Sequence, residues 1–245
     1  MTKWRTRLYL DTFDDGAEIM LNASQSHLLR SVLRCQTGER LRIFNGEKGE
    51  YAATISAIHK KYVAITCEEK LREAEPASGV TVAFAPIKRI DYVVQKAVEM
   101  GASSLQPVIT ERTQGGRFAL ERMQANIMEA AEQSERVSLP VGHPAIALDR
   151  FLAHHPADTP LLFCDETRCA EPPQLGVFRG VGTVLIGPEG GFTQNERDRI
   201  YRHSATHPLS LGPHILRTDT AVVAALAMLH FASTLNGTPV LDQTE

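Results

Sequence analysis

The chain has 245 residues, 43% hydrophobic and 22% charged, with 26 Lys and Arg set against 29 Asp and Glu. That length accommodates one large or two modest domains with a sizeable core, and the composition excludes a disordered or fibrous protein. No apolar run approaches the roughly 20 residues of a membrane span. The start, MTKWRTRLYLDTFDD, lacks the apolar stretch of a secretory signal, so a cytoplasmic protein without a membrane is expected.

The four cysteines, Cys35, Cys67, Cys164 and Cys169, form no CxxC pair and have no histidine at zinc-finger spacing. Reduced thiols and no metal site are therefore expected. Charge is uneven along the chain. Residues 1–72 carry twelve Lys and Arg against nine Asp and Glu, a net +3, which leaves −6 for the remainder. A basic front end suits a polyanion, because phosphate is held mainly by Lys and Arg, although an ordinary solvated surface explains the same imbalance.

In chain order, the first segment reads as mostly β. Apolar residues alternate at Leu41 and Ile43, at Tyr51, Ala53, Ile55 and Ala57, and at Val63, Ile65 and Cys67, the period of strands with one buried face. Before them lies SQSHLLRSVLRC, whose spacing predicts a short helix. Leu29, Val32 and Leu33 share its inner face, and His27, Arg30 and Arg34 form a basic stripe.

REAEPASG, residues 72–79, is polar, with a Pro and a Gly and no periodicity, and reads as an interdomain linker over 73–79. Beyond it VTVAFAPI reads as a buried strand. RIDYVVQKAVEMG reads as a helix with Ile90, Val94, Ala97 and Val98 inward and Gly101 as its stop, and SLQPVIT as a second strand. Strand, helix, strand is the signature of an α/β domain with a parallel sheet.

A long helix follows over roughly 117–135, with Leu120, Met123, Ile127, Ala130 and Ala131 on one face. Next come strands PLLFCDE and GTVLIG, a helix opened by the capping box Thr193-Gln194-Asn195-Glu196, and a strand LSLG. The last helix, from about Thr218 to Leu235, is apolar almost all round through AVVAALAMLHF, with His230 its one strongly polar side chain. A helix without a wet face needs cover on several sides, so a second subunit is expected against it. His154, His155, His203 and His207 lie in polar segments without ligand-like partners and are expected at the surface.

Two segments look built to hold a ligand with backbone. LIGPEGGF, residues 185–192, carries a buried strand into Pro188 and a Gly190-Gly191 pair ahead of a capped helix. Glycines at the carboxyl end of a parallel strand let the main chain approach a ligand, in the crevice where open α/β sheets bind small molecules. A plain strand-to-helix turn is the simpler explanation, but such turns seldom need Gly-Pro-Glu-Gly-Gly. LSLGPHILRTDTA, residues 209–221, ends a strand at Gly212-Pro213 and leads through Arg-Thr-Asp-Thr into the apolar helix. Arg217 beside a helix N-terminus suits a carboxylate, a phosphate or a developing oxyanion. An N-cap by Thr218 or Asp219 explains the Thr and Asp, but not the Gly-Pro turn before them. Gly180-Val181-Gly182 starts like a dinucleotide fingerprint and fails at Leu185, and no Walker lysine is present.

Taken together, GPEGGF and LGPHILRTDTA resemble the cofactor loops of RsmE-type RNA methyltransferases of the SPOUT class. HLLRSVLR with GERLRIFNG resembles that family's amino-terminal PUA-like barrel, and QKAVEMGA, TERT and EQSER its central elements, so the resemblance covers nearly the whole chain. His214 and Asp219 depart from it, since the family often carries Arg and Glu there.

The resemblance implies an α/β SPOUT-type parallel sheet with a C-terminal trefoil knot over residues 80–245, preceded by a PUA-like RNA-binding barrel over 1–72. It implies a homodimer that methylates N3 of a uridine in 16S ribosomal RNA, within the small ribosomal subunit. The donor is S-adenosylmethionine, wrapped by Leu162, Phe163, Ile186, Gly187, Pro188, Glu189, Gly190, Gly191, Ser210, Leu211, Gly212, Ile215 and Leu216.

Transfer from a sulfonium needs no metal, because the leaving group departs neutral. Uracil N3 carries a proton at neutral pH, so the site must accept it or stabilise the uracil anion. Arg217 is the candidate anion stabiliser, Glu189 a base or ribose clamp, and Thr220 or Asp219 an orienting group. Arg5, Arg7, Arg30 and Arg34 are the candidate phosphate contacts. The competing expectations are a SPOUT enzyme acting on transfer RNA and a non-catalytic ribosome-assembly protein. A hydrolase is not supported, because no GxSxG motif is present.

Overall fold

A computed structural model describes residues 4–74, 79–114, 118–168 and 175–235. Residues 75–78 of the expected linker, and Cys169, lie outside the described residues. The chain divides into two compact units, one formed by residues 1–76 with 131–139, the other by 77–130 with 140–245.

The first unit contains β1 (Arg7–Tyr9), β2 (Glu18–Met20), α1 (Ala23–His27), β3 (Arg40–Asn45), β4 (Gly49–Ile58) and β5 (Val63–Arg72). They build a mixed sheet in the order β1-β3-β4-β5-β2, with β1 parallel to β3 and the other pairs antiparallel. Of the period-two residues, Leu41, Ile43, Tyr51, Ala53, Ile55, Val63, Ile65 and Cys67 are buried, joined in one core by Leu8, Leu10, Phe13 and Leu29, while Ala57, past a register shift in β4, is half-buried. Asn22 opens α1 with a capping box closed by Gln25.

The expected inner face of this helix is only partly right. After His27 the chain widens into a π-turn over Leu28–Val32, with the Leu33 amide donating to the Leu28 carbonyl at 2.8 Å. The wider turn shifts the register, so Leu29 stays buried while Val32 is 61% exposed.

The second unit contains β6 (Gly79–Phe84), α2 (Ile90–Glu99), β7 (Ser104–Ile109), α3 (Leu120–Gln133), β8 (Val141–Gly142), β9 (Ile146–Ala147), α4 (Leu148–His154), β10 (Leu161–Cys164), β11 (Val181–Ile186), α5 (Gln194–Arg202), β12 (Thr206–Pro208) and α6 (Thr218–Leu235). The final residues of α3 belong to the first unit. The strands form a parallel sheet in the order β12-β10-β11-β6-β7-β8, with β9 also beside β7. Central strands β6, β10 and β11 are nearly continuous apolar runs, as a sheet covered on both faces requires.

On α2, Val93, Val94, Ala97 and Val98 are buried, and Gly101 follows with a φ of +83°. Thr193 and Glu196 cap α5 reciprocally as expected. The strand expected at LSLG lies earlier, at Thr206–Pro208. Its register against β10 ends at Phe163 and Pro208, and Leu209 to Gly212 continues as a loop. His155 and His203 are half-buried rather than surface groups, meeting edge to face with ring centroids 5.3 Å apart.

Candidate active site

Beyond the carboxyl ends of β10 and β11 three chain segments enclose an open cavity of about 210 Å³. Cys164 to Glu166 leave β10, Ile186 to Gly191 leave β11, and the third segment contributes Leu209, Leu211, Gly212 and His214 to Leu216. Thr218 and Ala221 close it from the start of α6. This is where the edge geometry of a parallel sheet leaves room for a ligand.

The loops are tied to one another by side chains. The Thr218 hydroxyl donates to the Gly187 carbonyl at 2.9 Å, joining α6 to the glycine-rich loop. Arg112 donates to the Gly190 carbonyl at 2.7 Å from the loop after β7. Gly187 lies so close to the Phe192 ring that a Cβ there would stand 2.6 Å from the ring carbon Cε2. Gly212 differs. Its φ is +105°, and a Cβ there would meet nothing within 4 Å, so the backbone is bare where it borders the cavity.

Below the cavity Asp165 organises a polar cluster. Its Oδ1 accepts from the Thr167 amide at 3.0 Å, the Thr167 hydroxyl at 2.8 Å and Arg197 Nε at 3.1 Å, and its Oδ2 accepts from the Tyr201 hydroxyl at 2.9 Å. Burial works to raise the Asp165 pKa. The hydrogen bonds from Thr167, Tyr201 and Arg197 outweigh it and hold the carboxyl below its usual range. Arg197 also pairs with Glu166 and donates to the Phe192 carbonyl at 2.6 Å, so one guanidinium ties two cavity loops to α5. Desolvation pushes the Cys164 thiol well up, which makes it a neutral lining group rather than a nucleophile.

The structure gathers Ile186, Gly187, Pro188, Glu189, Gly190, Gly191, Leu211, Gly212, Ile215 and Leu216 around this one cavity. It does not bring Leu162, Phe163, Ser210, Arg217 or Thr220 to the lining. Leu162 and Phe163 are buried inside β10, paired with Val184 and Leu185, and the cavity begins at Cys164. Ser210 is buried, with its hydroxyl oxygen accepting from the Gly212 amide at 3.4 Å. The sequence expectation missed Asp165, Glu166 and Arg197. The first two were read as the end of the strand PLLFCDE, but that strand stops at Cys164 and leaves them beyond its end; Arg197 had no local signal.

Glu189 lines the cavity, is exposed and has no ion pair among the described residues. Arg217 is exposed just before α6, likewise without an ion pair among the described residues. Thr220 is exposed on the first turn, its amide and hydroxyl both directed at Asp219 Oδ1, at 2.8 and 3.3 Å. Asp219 is buried, and its Oδ2 lies 3.6 Å from Arg89.

The four arginines of the first unit fall into different classes. Arg7 is a correction to the sequence expectation: it is buried, paired with Glu50, and donates to the carbonyls of Ala131 and Arg136 at 2.8 and 2.7 Å. No part of its guanidinium is left for phosphate. Arg5 is held by Glu39 at 3.2 Å and by the Leu33 carbonyl at 2.7 Å. Arg30 donates to the carbonyls of His59 and Lys60 at the β4–β5 turn, and Arg34 is exposed. That turn also exposes Lys60 and Lys61 beside a His59–Tyr62 pair, its rings tilted by 33° with 4.4 Å between centroids, a basic and aromatic tip that the sequence pattern did not single out.

Comparison with known proteins agrees with this anatomy. Residues 73–230 match the model of an RNA methyltransferase domain and residues 21–67 that of an RNA methyltransferase PUA domain. The ribosomal RNA small subunit methyltransferase E of Rickettsia conorii is 32% identical, over 91% of this chain and 94% of its own. The protein of that name from Synechocystis is also 32% identical, over 87% of this chain and 73% of its own. The crystal structure of the Neisseria gonorrhoeae methyltransferase E bound to S-adenosyl methionine superposes with a TM-score of 0.81 at 27% identity, covering 92% of this chain and 97% of that one. With its parallel sheet, its cavity loops and these alignments running nearly end to end, the chain belongs to the small subunit methyltransferase E family of RNA methyltransferases, with the SPOUT-type fold of that family.

Proposed function

We propose that this protein transfers the methyl group of S-adenosylmethionine to N3 of a uridine in 16S ribosomal RNA of the small subunit, acting in the cytoplasm as a homodimer. The observation that carries this reading is the cavity at the ends of β10 and β11, lined by the glycine-rich loop Ile186 to Gly191 and by bare backbone at Gly212. Its residues suit the donor. Ile186, Leu209, Leu211 and Leu216 offer apolar surface to an adenine, and the Glu189 carboxylate is free for ribose hydroxyls or for a positive charge. S-adenosylmethionine supplies a methyl group activated by its sulfonium and requires no metal.

Arg217 stands beside the cavity at the amino end of α6, where guanidinium and helix dipole together stabilise negative charge on the uracil oxygens as the N3 proton leaves. Glu189 is the group within the cavity that accepts this proton or clamps the ribose, and Thr220 orients the base edge. Residues 1–72 serve as the RNA-binding module and 80–245 as the methyltransferase domain, joined at 73–79, and the trefoil knot lies in the stretch that wraps the cavity. Arg30 and Arg34, with Lys60 and Lys61, form the surface for RNA phosphates.

The dimer follows from α6. Val222, Ala225, Leu226 and Leu229 are buried in its own unit, yet Phe231, at the end of the apolar stretch that starts at Ala221, remains 63% exposed. A second copy of the helix is the cover that such a face needs.

The test is transfer from methyl-labelled S-adenosylmethionine to small subunits lacking the modification, followed by nucleoside mass analysis. A 3-methyluridine product at one site is expected. A different methylated nucleoside, or transfer only to transfer RNA, would overturn the acceptor, and failure to bind the donor would leave an RNA-binding assembly protein.

A further inference from the structure

A second cavity, about 220 Å³, opens beyond the end of β6, between the chain entering α2 and the start of α3. It lies next to the donor cavity by construction. Strands β6 and β11 are neighbours, and the Ala85 amide donates at 2.9 Å to the carbonyl of Ile186, which lines the donor cavity. From the other side Arg89 reaches Asp219 at 3.6 Å in the first turn of α6, whose Thr218 is hydrogen-bonded to Gly187. The two cavities are lined by different residues, but each opens beyond the end of one of two adjacent strands, roughly 5 Å apart.

The lining differs from that of the donor cavity. Ile87, Val94 and Met123 supply apolar surface and Phe118 an aromatic ring. Lys88 is exposed, with no ion pair among the described residues, and Arg122 stands at the same opening, paired with Asp91 but largely exposed. Asn126 donates to Asp91 at 2.6 Å and adds an amide to the wall. Apolar and aromatic surface beside exposed cations is the chemistry that receives an unstacked base with its phosphate outside.

We propose that this cavity is a nucleotide subsite that takes a splayed-out base of the RNA flanking the methylated residue, with Lys88 and Arg122 on its phosphate. The acceptor base must face the methyl donor, so a pocket one strand away is placed for a neighbour of that base, not for the acceptor itself. Sequence context around the target would then be read here. The proposal rests on the methyltransferase reading above.

The test uses the full-length protein, small-subunit ribosomal RNA carrying 4-thiouridine, and two variants. Ala119→Trp places a ring in the cavity from an exposed position, and Lys88→Ala removes the unpaired cation. We expect Ala119→Trp to weaken RNA binding about tenfold and Lys88→Ala to reduce the salt slope of binding by about 0.7, the share of one single-strand phosphate. Melting temperature and S-adenosylmethionine affinity should stay unchanged, and Lys88→Arg should restore the slope. Photo-crosslinks should map to the peptides spanning 86–94 or 118–126. Wild-type RNA affinity in both altered proteins, or crosslinks confined to other peptides, would overturn the subsite. Absence of methyl transfer by the wild-type protein would instead refute the enzymatic reading, and the binding and crosslinking results would still decide on the subsite.

Discussion

Arg7 in the first unit and Arg217 in the second carry the same guanidinium and have opposite surroundings. Arg7 is buried against the Phe44 ring, 3.5 Å from its centroid, with its donors taken by Glu50 and two backbone carbonyls. Glu50 is just as buried and also lies 3.7 Å from both Arg42 and Arg72. Much of the positive charge that suggests an RNA-facing front end therefore neutralises carboxylates inside the unit. Arg217 is exposed between the cavity-lining Leu216 and Thr218, and it has no ion pair among the described residues. The lesson is that a basic count in sequence says little about function until the internal partners are known, and that an exposed cation without an ion pair near a cavity is the one to test for a role on substrate.

The largest effect expected from this contrast is at Arg7. Arg7→Ala leaves Glu50 short of its closest partner and should destabilise the protein by about 3–5 kcal/mol, the usual cost of breaking a buried pair. A urea titration measures it, and a change below about 1 kcal/mol, in the range of surface pairs, would mean that the pair is not structural. Gly187→Ala comes next. Its Cβ would press on the fully buried Phe192 ring, which packs edge to face on Phe163 at 5.0 Å, so overpacking of about 1–3 kcal/mol and weaker donor binding are expected. Gly176→Ala, where a Cβ meets nothing within 4 Å, should leave both thermal melting and calorimetric binding unchanged.

Asp165→Asn should cost about 2 kcal/mol through its lost charge-assisted hydrogen bonds. It also has a pH signature. The folded Asp165 pKa is depressed, so its contribution is fully present above the ordinary carboxylate value and is lost as pH falls through the lower folded value. Denaturation midpoints taken from pH 6 downward should show a steeper acid fall in the wild type than in the Asn variant, and parallel curves would contradict the assignment. The smallest effect on the fold is expected at Phe231. Phe231→Asp should leave the melting temperature of the unit nearly unchanged and shift sedimentation from dimer to monomer; an unaltered dimer would place the interface elsewhere.

Much of the architecture was legible from periodicity, because a parallel sheet covered on both faces and a half-buried mixed sheet write their burial directly into residue spacing. The capping box at Thr193 and Glu196 and the glycine-rich loop at Ile186 to Gly191, which lines the cavity, were legible because each rests on local chemistry. The π-turn at Leu28–Val32 was not, because one extra residue per turn leaves no mark in composition yet turns Val32 outward. Neither was the Arg7–Glu50 pair, which joins residues 43 positions apart. Leu162 and Phe163 were placed at the site, but the cavity begins with Cys164, where the strand stops filling the core and the chain turns across its end.

The most direct test of this account is Arg217→Ala, with donor binding by calorimetry and single-turnover methylation of small subunits measured on the same preparation. Loss of a charge-stabilising donor of this kind should slow transfer about 100-fold or more while S-adenosylmethionine affinity stays within about twofold. Wild-type turnover at saturating donor would contradict it and return Arg217 to the solvated surface.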